Sequence, residues 1–532
     1  MWSRRAWLAG VAAALAACSR PAAVRHGGAW VGAQHARGHR LRDTKSGSLP
    51  APALKRRASV LVIGAGVAGL GCARALLRAG VDDVQVFDLE DSAGGNSRGH
   101  RIAGMACPLG AHYLPVPGPH ATEVIDLLDD LGLRRSTPGG QPAYDERHLC
   151  HSPQERLFVD GHWHDGLLPP IEALPQGERA ATLAQYRRFG EQVHALGRDH
   201  AFSIPTARSA WRPELDALDA VTFSRWLDAQ QLDAPALRWY LDYCCRDDYG
   251  AGAGEVSAWA GLHYFASRHG FHAPGSDDGE RDAVLTWPEG NAWLTGRMAA
   301  PLGERLHTAM VALRIGERRH EIDVDLWNER TQQLERWTAP SVVLATPLFV
   351  SLRLLERPPA ALQAAASQMR HAPWLVANLH LDQALDDHPG AAPAWDNVVY
   401  GGAGLGYVDA MHQSTRPHPG PTVLSAYWSW GSDPASRRAL LEGSWDEWSA
   451  RVVASLTGPH PDLPEKLRQV DLMRYGHAMS IPLPGVRSSA ALRALAEPQG
   501  RIAFAHSDLS GYSVFEEALF HGVRAARLRT HQ

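Results

Sequence analysis

Three glycines and one acid carry the clearest chemistry in this chain. Gly64, Gly66 and Gly69 follow the apolar run 59–63 at GxGxxG spacing, and Asp88 closes a second apolar run, 84–87. The first glycine permits a tight turn, the second lets a pyrophosphate approach the backbone, and the third lets a helix pack on the strand. Between the runs, Cys72, Ala73, Leu76 and Leu77 recur at helical intervals until Gly80. The start of such a helix offers free N–H groups and a partial positive charge to phosphates. Asp88 lies 19 residues after Gly69, where an acid accepts hydrogen bonds from a ribose. Strand, glycines, helix, strand and acid in that order predict a dinucleotide site.

Two other stretches hold reactive side chains. "CCRDDYG", 244–250, concentrates acids at the end of a helical stretch, where Asp247 or Asp248 is a candidate to bind a cationic amine. Their plain alternative is helix capping and solvation. "RYGHAMSIPLPG", 474–485, offers Tyr475 as an aromatic wall and His477 as a general base, against the alternative of a structural histidine. The cysteines lack paired zinc-type spacing, and His35 and His39, four apart, have no evident third ligand, so no metal site is expected.

The elements around these residues predict an α/β protein. With 532 residues, 45% hydrophobic and 21% charged, the chain is long enough for two or more packed units. A formal net charge of -4 and the lack of a long basic run exclude a nucleic-acid footprint. Strand-like runs such as "WLVANLHLD" and "TVLSAYWSW" suggest a mixed sheet beyond the dinucleotide unit. "VVYGGAGLGYVDAMHQS" imitates a second glycine motif, but Tyr407 stands where the third glycine belongs, so it reads as a loop.

"LEDSAGGNS", which follows, resembles the second glycine motif of flavoproteins, with Gly94, Gly95 and Ser97 near the pyrophosphate and Asn96 where arginine is usual. Further blocks resemble, in order, the flavin-containing amine oxidase, protoporphyrinogen oxidase and phytoene desaturase superfamily. "CPLGAHYLP" holds Gly110 and Ala111 near the flavin ring, and "TWPEGNAWLTGRMAAPLG" is similar to the family's turn and helix. "TAMVALRI" would bring Val311 to the adenine, and "APSVVLATP" looks like the returning strand. "GRIAFAHSDLSGYSVFEEALFHGVRAARL" resembles the C-terminal flavin motif, with Asp508 on the ribityl or pyrophosphate region and Glu516 as the helix acid.

The resemblance implies FAD held by a Rossmann-like domain in three pieces, 56–119, 285–349 and 495–532. An α+β substrate domain would occupy 120–284, mainly helical, and 350–494, a mixed sheet. It also implies an oxidoreductase taking a hydride onto flavin N5 from an amine, with a polyamine as one option, and passing electrons to O2 or a membrane carrier. A desaturase or isomerase of an apolar substrate, or a flavin-binding protein without turnover, are the alternatives. Many amine oxidases of the family hold a water with a lysine. This chain has only Lys45, Lys55 and Lys466, none in a matching block.

The opening "SRRAWLAGVAAALAAC" has a basic start at Arg4 and Arg5, an apolar stretch too short to span a bilayer, and Cys18. It resembles a twin-arginine signal ending in a lipobox, which implies passage through the twin-arginine export machinery already folded around a cofactor. Acylation at Cys18 would then anchor the protein to a periplasmic or cell-envelope membrane. Residues 19–55, rich in Gly, Pro, Ser and Arg, read as a tether.

Overall fold

The structure is a computed structural model that describes residues 26–44, 49–137, 139–198, 201–268, 270–274, 283–416 and 418–530. The expectations at Arg4, Arg5 and Cys18 lie outside the described residues. Among the described residues, no helix is long and apolar enough to cross a membrane.

The glycine-bearing strand Val60–Ile63 lies at the centre of a five-stranded parallel sheet. Across it the order is Leu306–His307, Val84–Phe87, Val60–Ile63, Ser341–Leu344 and Ile502–Phe504. Both faces of this sheet are covered, so its central strand Val60–Ile63 is apolar and buried at every position. Alternation divides the side chains between two cores. Val60, Val62, Val86 and Val343 join the core under the first helix, while Leu61, Ile63, Val342 and Leu344 join the one on the other face. The three sequence pieces of the dinucleotide domain thus meet as neighbouring strands.

Helix Val67–Arg78 packs against the C-terminal helix Phe515–Thr530 through small residues. A Cβ at Gly522 would sit 2.1 Å from the Ala68 carbonyl oxygen, and one at Gly71 would sit 2.6 Å from Leu519 Cδ1. The close approach needs glycine at both places. A four-stranded sheet, Leu54–Arg57 with Met310–Glu317, Ile322–Asn328 and Gln333–Ala339, flanks this unit.

The second unit is an eight-stranded mixed sheet centred on His371–Leu381 between Leu467–Ser480 and Thr422–Ser429. Helices Gln176–Gly197, Pro235–Tyr249 and Ala258–Ala266 belong to the core built on one side of it. The glycine-rich stretch near 402 is the turn between Asp396–Val399 and the antiparallel Tyr407–Asp409. The architecture is therefore α/β, a doubly wound parallel unit joined to an α+β unit.

The tether reading needs correction. Gly27–Trp30 forms a parallel edge strand against residues 469–472, and His35–Asp43 is a helix. Backbone pairing, the ion pairs Arg37–Asp91 and Arg40–Glu329, and the packing of a few apolar side chains such as Trp30 and Leu41 hold this segment to the body, so its largely polar composition concealed it.

Candidate active site

Two cavities meet at the boundary between the units. The longer, about 370 Å³, runs past Gly64, Gly66, Asp88, Gly94 and Gly95 to Val311. Its floor is backbone. Gly64 and Gly94 adopt φ of 104° and 125°, conformations that side chains resist. Gly94 N–H donates to the Ala65 carbonyl at 2.8 Å, pinning the two glycine turns together. A Cβ on Gly95 would lie 3.1 Å from Gly66 Cα, so only bare backbone fits here. Gly69 does not line the cavity. A Cβ there would strike the Gly64 carbonyl oxygen at 1.8 Å, which is the helix-on-strand packing its position predicts. The N-cap Gly66 has no side-chain cap, leaving the first N–H groups of the helix open to a ligand.

Asp88 accepts hydrogen bonds from Ala65 N–H at 2.7 Å and Glu90 N–H at 2.9 Å while still bordering the cavity. Ser97 and Asn96 also line it, and Asn96 carries no charge. The positive charge expected there comes two residues later. Arg98 is buried against the cavity, with its guanidinium donating to the Gly95 carbonyl at 3.0 Å and lying 3.5 Å from the Glu90 carboxylate. Open N–H groups, glycine turns, a ribose-facing acid and a buried arginine fit an adenine dinucleotide. The segment read as a tether closes one wall, with Ala33, Gly38 and Leu41 lining the cavity. Gln34 N–H donates to Glu90 at 3.1 Å, and Arg37 bonds Asp91 at 2.9 Å.

The second cavity, an inner chamber of about 130 Å³, shares Asn96, Ala111, Tyr475 and Ala478 with the first. Aromatic rings make its walls. His112 and Tyr427 lie 4.5 Å apart between centroids, and Trp374 meets Tyr427 edge-on at 6.4 Å. Burial lowers the His112 pKa to about 3, so its ring is neutral. Tyr475 donates to the Leu109 carbonyl at 2.9 Å, which fixes the ring at the junction. Asn291 Oδ1, buried and without a hydrogen-bond partner, belongs to a residue of the same wall.

The two candidate acids differ. Asp248 accepts from Arg268 at 3.0 and 3.3 Å and neutralises it, so the amine-binding reading does not hold for Asp248. Asp247 makes no hydrogen bond or ion pair among the described residues and lines both the inner chamber and an outer chamber of about 590 Å³. Burial, and then the charge of Asp248, raises its pKa to about 7. Asp396 and Glu155 line the outer chamber beside it, and burial followed by these acids raises the Asp396 pKa well above its usual value.

Four other expected positions are also corrected. Asp508 lines neither cavity. It is wholly buried, bonded by His371 at 3.1 Å and Leu348 N–H at 2.9 Å. Burial pushes its pKa up, but the charges and hydrogen bonds of His506 and His371 outweigh this and hold it well below the carboxylate range. Its work is to organise the wall, while His506 and Ser507 face the cavity. Gly110 and Glu516 line the inner chamber and not the long cavity; burial raises the Glu516 pKa to about 7. His477 lines the long cavity but not the inner chamber, tilted against Phe349 with ring centroids 4.7 Å apart. Burial, then the Arg437 charge, lowers its pKa to about 4. It is placed beside the cofactor rather than where a base would meet substrate.

Arg98, Trp374, Tyr427, Asp396 and Arg268 were not singled out from sequence. Trp374 and Val376 share one face of a strand whose alternation was visible in "WLVANLHLD", and that signal marked them. No lysine among the described residues lines either chamber. Lys466 instead bonds Asp386 at 2.6 Å and Asp462 at 2.7 Å.

Residues 67–528 match the family described as flavin containing amine oxidoreductase. The chain belongs to that family. It is an FAD-dependent oxidoreductase. A tryptophan 2-monooxygenase of Agrobacterium tumefaciens is 32% identical over 114 residues, 21% of this chain and 14% of that protein. The putrescine oxidase of Kocuria rosea is 28% identical over 181 residues, 33% of this chain and 32% of the relative. These matches thus span a third or less of the relatives' length. The solved cyclohexylamine oxidase of Brevibacterium oxydans superposes with a TM-score of 0.64 at 19% identity, covering 89% of this chain and 99% of that one. At that identity the likeness speaks for fold alone.

Proposed function

We propose that this flavoprotein oxidises a small amine or diamine that reaches the inner chamber as a cation. The observation that carries the reading is Asp247, an acid without a protein partner on the wall common to the two chambers. An ammonium entering the acidic outer chamber meets Asp396 and Glu155 first and Asp247 next. Attraction to a half-buried, unpaired carboxylate on a cavity wall is stronger than to a fully exposed one, because less water screens it. The amine's charge in turn favours ionisation of Asp247, releasing its proton below about pH 7.

Bound FAD supplies the acceptor for a hydride from the carbon beside the nitrogen. The residues of this chain orient that carbon. Tyr427, Trp374 and His112 form an aromatic box that excludes water and flattens the choice of poses. Neutral His112 adds no repelling charge. With no lysine among the described residues at either chamber, positioning falls to the box and Asp247. The relative that oxidises putrescine by name supports an amine as the substrate class. The acids of the chamber disfavour a lipid-like substrate.

The anaerobic visible spectrum of the FAD-loaded protein tests the reading. Bleaching of the flavin band by putrescine, spermidine or cyclohexylamine is expected, and a band that persists with all three overturns it. Re-oxidation with air or with a quinone then identifies the acceptor. We further propose export through the twin-arginine route and lipid anchoring at Cys18, on the pattern at residues 3–18. Fractionation of cells carrying Arg4→Lys with Arg5→Lys should show the protein retained in the cytoplasm. Cys18→Ala should release it from membranes.

A further inference from the structure

We propose that His388, His460 and Asp462 form a binding site for a divalent transition-metal ion of the zinc type, away from the flavin. Their ligand atoms all lie within 4.8 Å of one another, with His388 Nε2 3.9 Å from Asp462 Oδ1. His388 Nε2, His460 Nδ1 and Asp462 Oδ1 are each buried without a hydrogen-bond partner. Buried polar atoms are nearly always paired, because each unpaired one forfeits its hydration. Three that converge are a donor set awaiting a common partner. His460 is 2% exposed, so water does not satisfy it from outside.

The opposite edges of these side chains are already occupied in the way metal ligands require. His460 Nε2 lies 2.7 Å from the Tyr407 hydroxyl. With Nδ1 on a metal, Nε2 carries the proton and donates to Tyr407, the outer hydrogen bond that orients ligating histidines. Asp462 Oδ2 accepts from Lys466 at 2.7 Å and from Asp386 N–H at 2.8 Å, which fixes the carboxylate and leaves Oδ1 directed elsewhere. Two cations stand near, Lys466 and Arg156. Asp386 and Asp462 both pair with Lys466, and Arg156 lies over the Trp163 ring at 3.9 Å with Asn397 accepting from it.

Two histidines and one carboxylate suit a borderline ion such as Zn2+ rather than Mg2+ or Ca2+, which prefer oxygen. Bonds of about 2.1 Å in a tetrahedron separate ligand atoms by roughly 3.3 Å. The observed spacings, 3.9 Å for one pair and at most 4.8 Å, are looser by no more than about an ångström and a half, within reach of side-chain rotation. A cleft of about 650 Å³ bordered by His388 and His460 supplies water for the fourth position. The ion would be structural. His388 sits on the loop before Asp396–Val399, pinned through Pro389 and Ala391 to Trp163, while His460 and Asp462 follow helix Trp445–Thr457. Binding would clamp that loop to the helix end. None of the three residues lines the flavin cavity or either chamber.

The test is zinc titration of the untagged, FAD-loaded chain after chelation, with competition against a chromophoric chelator. One equivalent should bind and raise the thermal midpoint, and Co2+ in its place should give the visible bands of a tetrahedral site. His388→Gln and Asp462→Asn should each weaken that equivalent at least tenfold while flavin absorbance stays unchanged. His388 is partly exposed, so its variant should fold even if a His460 variant does not. Wild-type protein that binds no zinc, or His388→Gln and Asp462→Asn that bind it as wild type does through other histidines, would overturn the proposal.

Discussion

The long cavity and the inner chamber share a wall at Tyr475 but are made of different material. The long cavity is floored by backbone, with glycines at 64, 66, 94 and 95 and the open end of a helix. The chamber is made of side chains, with aromatic rings largely from strands and carboxylates from helices far apart in sequence. Backbone N–H groups recognise a phosphate by dipole and position, so any side chain there is an obstruction. Side chains recognise a substrate by shape and charge, so they can change while the floor stays. The difference separates what every member of this family must hold from what each chooses to oxidise.

Variants that strike one side only would break or sharpen that contrast. The largest effect belongs to Gly64→Val. A Cβ there would lie 2.5 Å from the Ala345 carbonyl oxygen, at a φ of 104°. Less than about a tenth of the purified protein should carry flavin, read from the ratio of visible to ultraviolet absorbance. Asp247→Asn comes next and acts on the other side. Flavin content should stay normal, while kcat/KM for an amine falls roughly a hundredfold, since loss of a buried charge partner costs about 2–5 kcal/mol. In the wild type, kcat/KM should rise as pH passes through about 7, where Asp247 ionises. A pH profile unchanged in Asp247→Asn would remove Asp247 from the binding step.

Arg98→Ala should weaken FAD about tenfold, with the amine KM unaltered, as measured by flavin release during dilution. The smallest effect is on stability. The folded pKa of Asp247, about 7, exceeds the ordinary 3.8, so the folded chain binds more protons between those values. The contribution is fully present below about pH 3.8 and lost as pH rises through about 7. Thermal midpoints of wild type and Asp247→Asn should therefore converge at low pH, with the variant the more stable at pH 8.

The same division governs how much the residues announced in advance. The glycine turns, Asp88 and the first two parallel strands were legible because backbone constraints act locally, within 40 residues. Gly110 and Glu516 were recognised as part of the site, and the motif named their neighbourhood but not that both face the inner chamber. Asp508 was expected at the ligand, and only tertiary contact with His371 and Leu348 reveals that it holds the wall instead. The chamber acids were half legible. Adjacent Asp247 and Asp248 are indistinguishable until Arg268, twenty residues on, takes one of them. The zinc-type cluster escaped because its donors are separated by 72 positions, from 388 to 460, which no spacing rule covers.

The segment at 27–43 has a consequence for time rather than affinity. It crosses one side of the flavin cavity as an edge strand and a short helix, tied by Gln34 to Glu90 and by Arg37 to Asp91. A flavin leaving past that wall must wait for the strand pairing and those ties to open together. Its residence then follows the opening rate of a piece of chain, whatever the strength of its own contacts. Such a seat belt sets how long a bound cofactor stays, independently of how tightly it is gripped.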